Sequence, residues 1–204
     1  GANHTARRRA ATMCARAGVR TLIVPPLDDL LSGKVTVAKF RNVEVDDLLG
    51  REPVWIDNSL LSNALSGKAV MVTGAGGSIG AELCRQIAQF RPALLVAYEQ
   101  NEYFLYKLQE EFTVSFPEVQ VIGVAGDIKD PVRVDQVMRQ YAPTVVFHAA
   151  AYKHVPLMED LNAWEAVRNN VLGTFTVARA AVAHGAEEFV LVSTDKAVNP
   201  TNVM

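Results

Sequence analysis

Directly after an apolar run, the sequence reads Thr73-Gly74-Ala75-Gly76-Gly77-Ser78-Ile79-Gly80. Gly74, Gly77 and Gly80 recur at every third position of this stretch. Glycine suits such positions because the turn is tight, a pyrophosphate must approach the backbone closely, and the next helix packs against the sheet. An ordinary flexible turn is the alternative, but the position between a buried strand and a helix favours a dinucleotide-binding turn.

The segments around this turn alternate between short apolar runs and longer amphipathic ones. The apolar runs, which predict strands, are residues 69–73, 94–98, 119–124, 144–148 and 188–193. The amphipathic segments, which predict helices, are residues 79–90, 102–116, 131–141 and 164–184. Strands buried on both faces of a parallel sheet show little polar alternation, and repeated strand–helix units form right-handed crossovers. The sequence therefore predicts an α/β fold, a doubly wound parallel sheet of Rossmann type with at least five strands.

Acidic residues follow the second and third predicted strands of this sheet. Glu99 comes 19 residues after Gly80, where a carboxylate hydrogen-bonds the adenosine ribose and repels a 2′-phosphate, which favours NAD over NADP. A solvated loop glutamate is the alternative. Asp127, next to Ile128, either accepts a hydrogen bond from the adenine amine or caps the helix that begins near Asp130.

The residues before the turn are less regular. Residues 5–17 predict a helix that ends at Gly18, and residues 19–24 predict a short buried strand. Residues 27–65 are interpreted as a connector, with a short helix at 27–31 and a β-like stretch at 35–45. Because both ends of the chain lie inside such patterns, we expect it to be a piece of a longer protein, truncated at its C-terminus.

Composition excludes several functional classes. The 204 residues carry a net charge of −2, which offers no electrostatic attraction for nucleic acid or anionic lipid. Cys14 and Cys84 lie far apart in predicted helices, which favours reduced thiols in a cytoplasmic protein over a disulfide or a metal site. No apolar run reaches the roughly 20 residues that cross a bilayer. We expect no metal, no nucleic-acid partner and no membrane segment in this chain.

Three further segments carry a family resemblance. They are residues 148–156 (HAAAYKHVP), 169–174 (NNVLGT) and 193–204 (STDKAVNPTNVM). Together with the glycine turn, they resemble extended short-chain dehydrogenases of the polysaccharide-biosynthesis type, and most of all the large, membrane-anchored UDP-N-acetylglucosamine 4,6-dehydratase group. The resemblance covers residues 66–204, and residues 19–53 resemble the stretch that joins two domains in that group. It implies that residues 1–52 are the tail of an upstream nucleotide-binding-like unit plus a linker, and that residues 53–204 are the NAD-binding part of the catalytic domain.

The resemblance also implies a nucleotide-sugar substrate and an internal redox cycle. The sugar C4 carbon would give hydride to NAD, the C5 proton and the C6 hydroxyl would leave, and hydride would return to C6. Thr194 would then hydrogen-bond the C4 oxygen, Asp195 would be the acid at C6, and Lys196 the base at C5. Met204 stands where many relatives have a catalytic tyrosine; the dehydratase group is known for this replacement, which leaves the C4 proton acceptor unassigned. The resemblance places a membrane anchor before residue 1. It does not decide the oligomeric state, for which a homo-oligomer is one option.

The resemblance completes a list of candidate site residues. Cofactor contacts are assigned to Gly74, Gly77, Ser78, Ile79, Gly80, Glu99, Asp127, Ile128, Ala149, Ala150 and Ser193, and substrate contacts to Lys153 and Asn170. Alternatively, Lys153 is a solvated lysine in a loop that contacts no substrate. Asn170 either ties the active-site backbone together or bridges its helix to a strand carbonyl. His148 is interpreted as the end of a buried strand. An epimerase or reductase relying on a Tyr-x-x-x-Lys pair, and a non-catalytic NAD-binding module, are the competing functions.

Overall fold

A computed structural model of the protein describes residues 9–10, 12–14, 16–19, 22–23, 41–42, 57–194 and 197. The chain divides into two units, residues 1–56 and residues 57–204. In the first unit, Gly18 follows a helical segment with φ of +66°, the left-handed conformation of a helix C-terminus, as predicted. Strands β1 (Leu22–Ile23) and β2 (Arg41–Asn42) pair antiparallel. The helix predicted at residues 27–31 lies outside the described residues.

The second unit contains a five-stranded parallel sheet. Its strands are β3 (Ala69–Thr73), β4 (Leu94–Glu99), β5 (Val121–Ala125), β6 (Val145–His148) and β7 (Glu188–Leu191). They lie side by side in the order β5-β4-β3-β6-β7, and every neighbouring pair is parallel. The order reverses at β3, so a crevice opens between the carboxyl ends of β3 and β6, where such sheets bind ligands. The predicted fold is confirmed.

Helices cover both faces of this sheet. They are α1 (Asn58–Leu65), α2 (Ser78–Ala88), α3 (Glu102–Ser115), α4 (Pro131–Tyr141), α5 (Val155–Glu159), α6 (Ala163–Ala166), a π-helix (Val167–Gly173) and α7 (Thr174–Ala183). Side-chain caps explain several starting points: Asn101 accepts from the amides that open α3, and Asp130 does so for α4.

Two sequence predictions about helices need correction. The predicted connector at 27–65 contains α1, which begins where the Asp57 side chain accepts from Ser59 N. The predicted single helix at 164–184 is split by the π-helix. Backbone hydrogen bonds in a π-helix span five residues instead of the four of an α-helix. A π-helix inside a helical stretch frequently marks a functional site.

The core has two layers, one on each face of the sheet. Val70 and Val72 of β3 face the layer that also contains Cys84 of α2, whereas Met71 faces the layer with Val134 of α4. Alternate strand residues point to opposite faces, so burial on both sides explains why the strands are continuously apolar. Burial also raises the pKa of the Cys84 thiol to about 12, which leaves it protonated and unreactive at neutral pH.

The described residues contain neither a membrane-spanning helix nor a cluster of metal-binding side chains. Among the described residues, no helix is both long and apolar enough to cross a membrane. Within those ranges, no three side chains of His, Cys, Asp or Glu come together as a metal site.

Candidate functional site

The glycine turn lies against the loop that follows β6. Gly74 has φ of +68°, and a Cβ atom there would come within 2.7 Å of the Ala150 Cα. A Cβ on Gly80 would lie 2.0 Å from the Gly74 carbonyl oxygen, so α2 reaches the turn only because residue 80 lacks a side chain. Gly77 precedes α2 without any side-chain cap. The amides at the start of α2 are therefore available to an anion.

Glu99 ends β4 directly beside this turn and is 8% exposed. Its two carboxylate oxygens accept from Gly76 N at 3.0 Å and from Asn101 N at 2.9 Å. An ionised carboxylate offers about four acceptor positions, so two remain for the hydroxyls of a ribose. Glu99 thus braces the glycine turn, and the alternative of a solvated loop glutamate is wrong. Its contact with a ribose stays a prediction.

A cleft of about 240 Å³ opens in front of Glu99. Its lining includes the predicted residues Gly74, Gly77, Glu99, Ile128, Ala149 and Ala150, together with Phe104, Asn169 and Tyr152, which the list of predicted residues lacks. Asn169 and Tyr152 lie inside the segments that carried the resemblance. Phe104 comes three residues after the α3 cap, so a search of the first helical turn after Glu99 would have found it.

The Asp127 carboxylate is bonded within its own loop. Its carboxylate accepts from Lys129 N at 2.8 Å and pairs with Lys129 Nζ at 2.9 Å. Asp130 caps α4 by accepting from Val132 N and Arg133 N, so the alternative in which Asp127 is the cap is wrong. Ile128, the next residue, is buried and lines the cleft. The contact between Asp127 and an adenine amine stays a prediction.

A second cleft of about 530 Å³ continues from the first toward β7. It brings together ten of the predicted residues: Gly77, Ser78, Ile79, Gly80, Ala149, Ala150, Lys153, Asn170, Ser193 and Thr194. β7 ends at Leu191, and Ala197 N donates to the Thr194 carbonyl at 3.1 Å, so the backbone has left strand geometry by Thr194. Asp195, Lys196 and Met204 lie outside the described residues.

A chain of hydrogen bonds runs beneath this second cleft. His148, 1% exposed, has Nδ1 at 2.6 Å from Thr73 Oγ1 and Nε2 at 2.9 Å from Thr174 Oγ1. The Thr174 hydroxyl donates to the Asn170 carbonyl at 2.7 Å, so it must accept from His148 Nε2–H, and Nδ1 must accept from Thr73. Burial lowers the pKa of His148 to about 4. His148 is therefore neutral and structural, as predicted.

Asn170 uses its side chain to hold the loop after β6. Its Oδ1 accepts from Tyr152 N at 2.8 Å, and its Nδ2 donates to the Tyr152 carbonyl at 3.0 Å. This reciprocal pair mimics the pairing between neighbouring strands. Of the two alternatives for Asn170, tying the active-site backbone together is the one observed. Its contact with substrate stays a prediction, as does that of Lys153.

Comparisons with known proteins agree with this geometry. The family model described as "Polysaccharide biosynthesis protein" matches residues 70–204. The chain is 44% identical over 193 residues to the capsular polysaccharide biosynthesis protein CapD of Staphylococcus aureus, which is 94% of this chain and 32% of CapD. It is 30% identical over 139 residues to a UDP-N-acetylglucosamine 4,6-dehydratase (inverting) of Campylobacter jejuni, which is 68% of this chain and 40% of that enzyme. The solved structure of Pen from Bacillus thuringiensis matches with a TM-score of 0.63 and 34% identity, over 68% of this chain and 42% of Pen. The chain therefore spans about a third of CapD.

Proposed function

Because the chain belongs to the polysaccharide biosynthesis protein family, we propose that it carries the NAD-binding part and the acid–base residues of a nucleoside-diphosphate-sugar 4,6-dehydratase. The observation that supports this most is the second cleft, in which the start of α2, Lys153 and Thr194 line one cavity. A dinucleotide and a sugar nucleotide would meet in such a cavity. UDP-N-acetylglucosamine is the proposed substrate because the Campylobacter jejuni relative is named for it.

The described residues fit NAD. The turn at Gly74 and Gly80 has no room for Cβ atoms and presents helix amides to a pyrophosphate. Glu99 would accept from the adenosine ribose and disfavour a 2′-phosphate by like charge. Ala149 and Ala150 form a small-residue wall common to both clefts. Bound NAD would supply a reversible hydride acceptor.

The acid–base steps fall to residues after β7. Thr194 would donate a hydrogen bond to the sugar C4 oxygen, Lys196 would take the C5 proton, and Asp195 would give a proton to the C6 hydroxyl, which leaves as water. An ordinary lysine has a pKa of about 10.4, and a base works best near ambient pH, so this role requires desolvation of the lysine. A thioether such as that of Met204 cannot exchange protons, so the C4 proton goes to another group.

The proposal is tested in the whole protein that carries these residues. Incubated with UDP-N-acetylglucosamine and no external reductant, it should yield a product lighter by one water, read by mass spectrometry. Lys196→Ala and Asp195→Asn should each lower turnover by roughly 10²- to 10⁴-fold and leave NAD affinity nearly unchanged. Lys107→Ala, which removes an exposed lysine on α3, is the matched control and should retain turnover.

Two outcomes would overturn it. A product epimerised at C4 without loss of water would identify an epimerase. NAD binding with no conversion of any nucleotide sugar would identify a non-catalytic module. Full turnover in Lys196→Ala would contradict the assignment of Lys196 as the base, although the dehydratase function itself would stand.

A further inference from the structure

Tyr152 stands at the junction of the two clefts. Together with Ala149, Ala150 and Ala151, it lines both the smaller and the larger cavity. We name residues 149–153 the wall loop. Asn170 fixes the backbone of this loop at Tyr152 through two hydrogen bonds. The ring of Tyr152 is held separately, by a residue from a different part of the sheet.

That residue is Lys129, in the loop after β5. Its Nζ lies 5.7 Å from the centre of the Tyr152 ring and 2.9 Å from Asp127 Oδ2. The Lys129 side chain is only 16% exposed. An ammonium within about 6 Å of a ring centre is attracted by the ring's quadrupole, and the attraction strengthens as the ammonium loses solvent. The ion pair with Asp127 holds Lys129 Nζ beside the ring.

The contact spans the ligand crevice. β5 and β6 are separated in the sheet by β4 and β3, yet the loops that follow them meet through Lys129 and Tyr152. No backbone hydrogen bond between these two loops duplicates the contact among those described for residues 57–194. The cation–ring pair therefore adds a link between the wall loop and the loop after β5 that the described backbone hydrogen bonds do not supply.

We propose that Lys129 is a positioning residue: through the Tyr152 ring it holds the wall loop in the position that admits a dinucleotide. The inference rests on the proposed function, since it takes NAD as the ligand. Lys129 is not among the residues that line either cleft. Its effect is on the affinity of the cleft, and it acts before any ligand is bound.

The first test needs no ligand. Tyr152 N donates to Asn170 Oδ1, so its amide is protected from hydrogen exchange while the wall loop is in place. Lys129→Met should speed exchange at residues 149–153, and Lys129→Arg, which keeps a cation, should restore protection. Lys107→Met is the matched control, because Lys107 also lies over aromatic rings, at 6.0 Å, but outside both clefts. Unchanged exchange in Lys129→Met would overturn the proposal.

The second test is a double-mutant cycle on NAD affinity, measured by calorimetry in the whole protein. Lys129→Met and Tyr152→Leu should each weaken NAD binding about three- to tenfold, the range expected for a partly desolvated cation–ring pair. The double variant should be no weaker than either single variant. Tyr152→Phe, which keeps the ring, should bind NAD more tightly than Tyr152→Leu does.

The outcomes separate the two claims. Additive losses in the cycle would contradict the pairing of Lys129 with Tyr152, and equal losses in Lys129→Met and Lys107→Met would show a general charge effect instead. If the wild type binds no NAD, the proposed function fails, and the exchange experiment alone then decides whether Lys129 holds the wall loop.

Discussion

Mild acid should destabilise the protein through one buried imidazole. His148 is 1% exposed and bonded on both ring nitrogens as the neutral form. Burial lowers its pKa to about 4, whereas histidine in an unfolded chain has a pKa of about 6.5. Between these two values the unfolded state binds more protons than the folded state, so stability falls as pH falls from 6.5 toward 4.

The expected magnitude follows from the two pKa values. From pH 7.5 to pH 5, the unfolded histidine becomes almost fully protonated while the folded one stays neutral, which removes about 2 kcal/mol of stability. The full effect, reached below pH 4, is about 3 kcal/mol. Carboxylates whose folded pKa is lowered, such as Glu111 and Asp135, lose their contribution mainly at lower pH.

Urea denaturation followed by circular dichroism, at pH 7.5 and pH 5, measures this loss. His148→Gln is the control, because glutamine can donate an amide hydrogen toward Thr174 and does not titrate. The wild type should lose about 2 kcal/mol more than His148→Gln over this interval, and contributions of all other groups cancel in the comparison. Equal losses in the two proteins would refute the assignment of a neutral, structural His148.

Three further substitutions test the site. Gly80→Ala, which drives a Cβ into the turn carbonyl, should destabilise the chain by about 1–3 kcal/mol in thermal unfolding, and more than Gly77→Ala, whose Cβ would lie 3.3 Å from its nearest neighbour. Glu99→Gln should reduce the ratio of NAD affinity to NADP affinity in calorimetric titrations, because the carboxylate that repels the 2′-phosphate is gone. Tighter binding of NADP than of NAD by the wild type would contradict this role of Glu99. Asn170→Ala should expose the Tyr152 amide to hydrogen exchange, since its acceptor is removed; continued protection there would contradict the pairing.

The sheet could be predicted from the sequence because its signals are local. Strand β3 matches the predicted residues 69–73, since its apolar run ends at a glycine turn. Helix α4 matches residues 131–141, because Asp130 and Pro131 are both strong start signals. The glycine spacing and Glu99 also predicted that the glycine turn and Glu99 line one cleft, since the carboxyl ends of parallel strands share one edge of the sheet.

The remaining features depend on contacts between distant residues. The pairing of Asn170 with the Tyr152 backbone and the contact of Lys129 with the Tyr152 ring join loops that only the folded sheet brings together. The π-helix has no simple periodicity signal, so residues 164–184 were predicted as one helix. The α1 helix was missed because only one of its residues, Leu65, is buried, which leaves the amphipathic pattern weak.

The proposed internal hydride transfer is tested most directly by an isotope label. UDP-N-acetylglucosamine carrying deuterium at C4 is incubated with the whole protein and NAD. Mass spectrometry and proton NMR then locate the deuterium in the product. The account predicts a 4-keto-6-deoxy product with the deuterium at C6 of the same sugar and no net NADH. A dehydrated product with the deuterium lost from the sugar, or the absence of any dehydrated product, would contradict it.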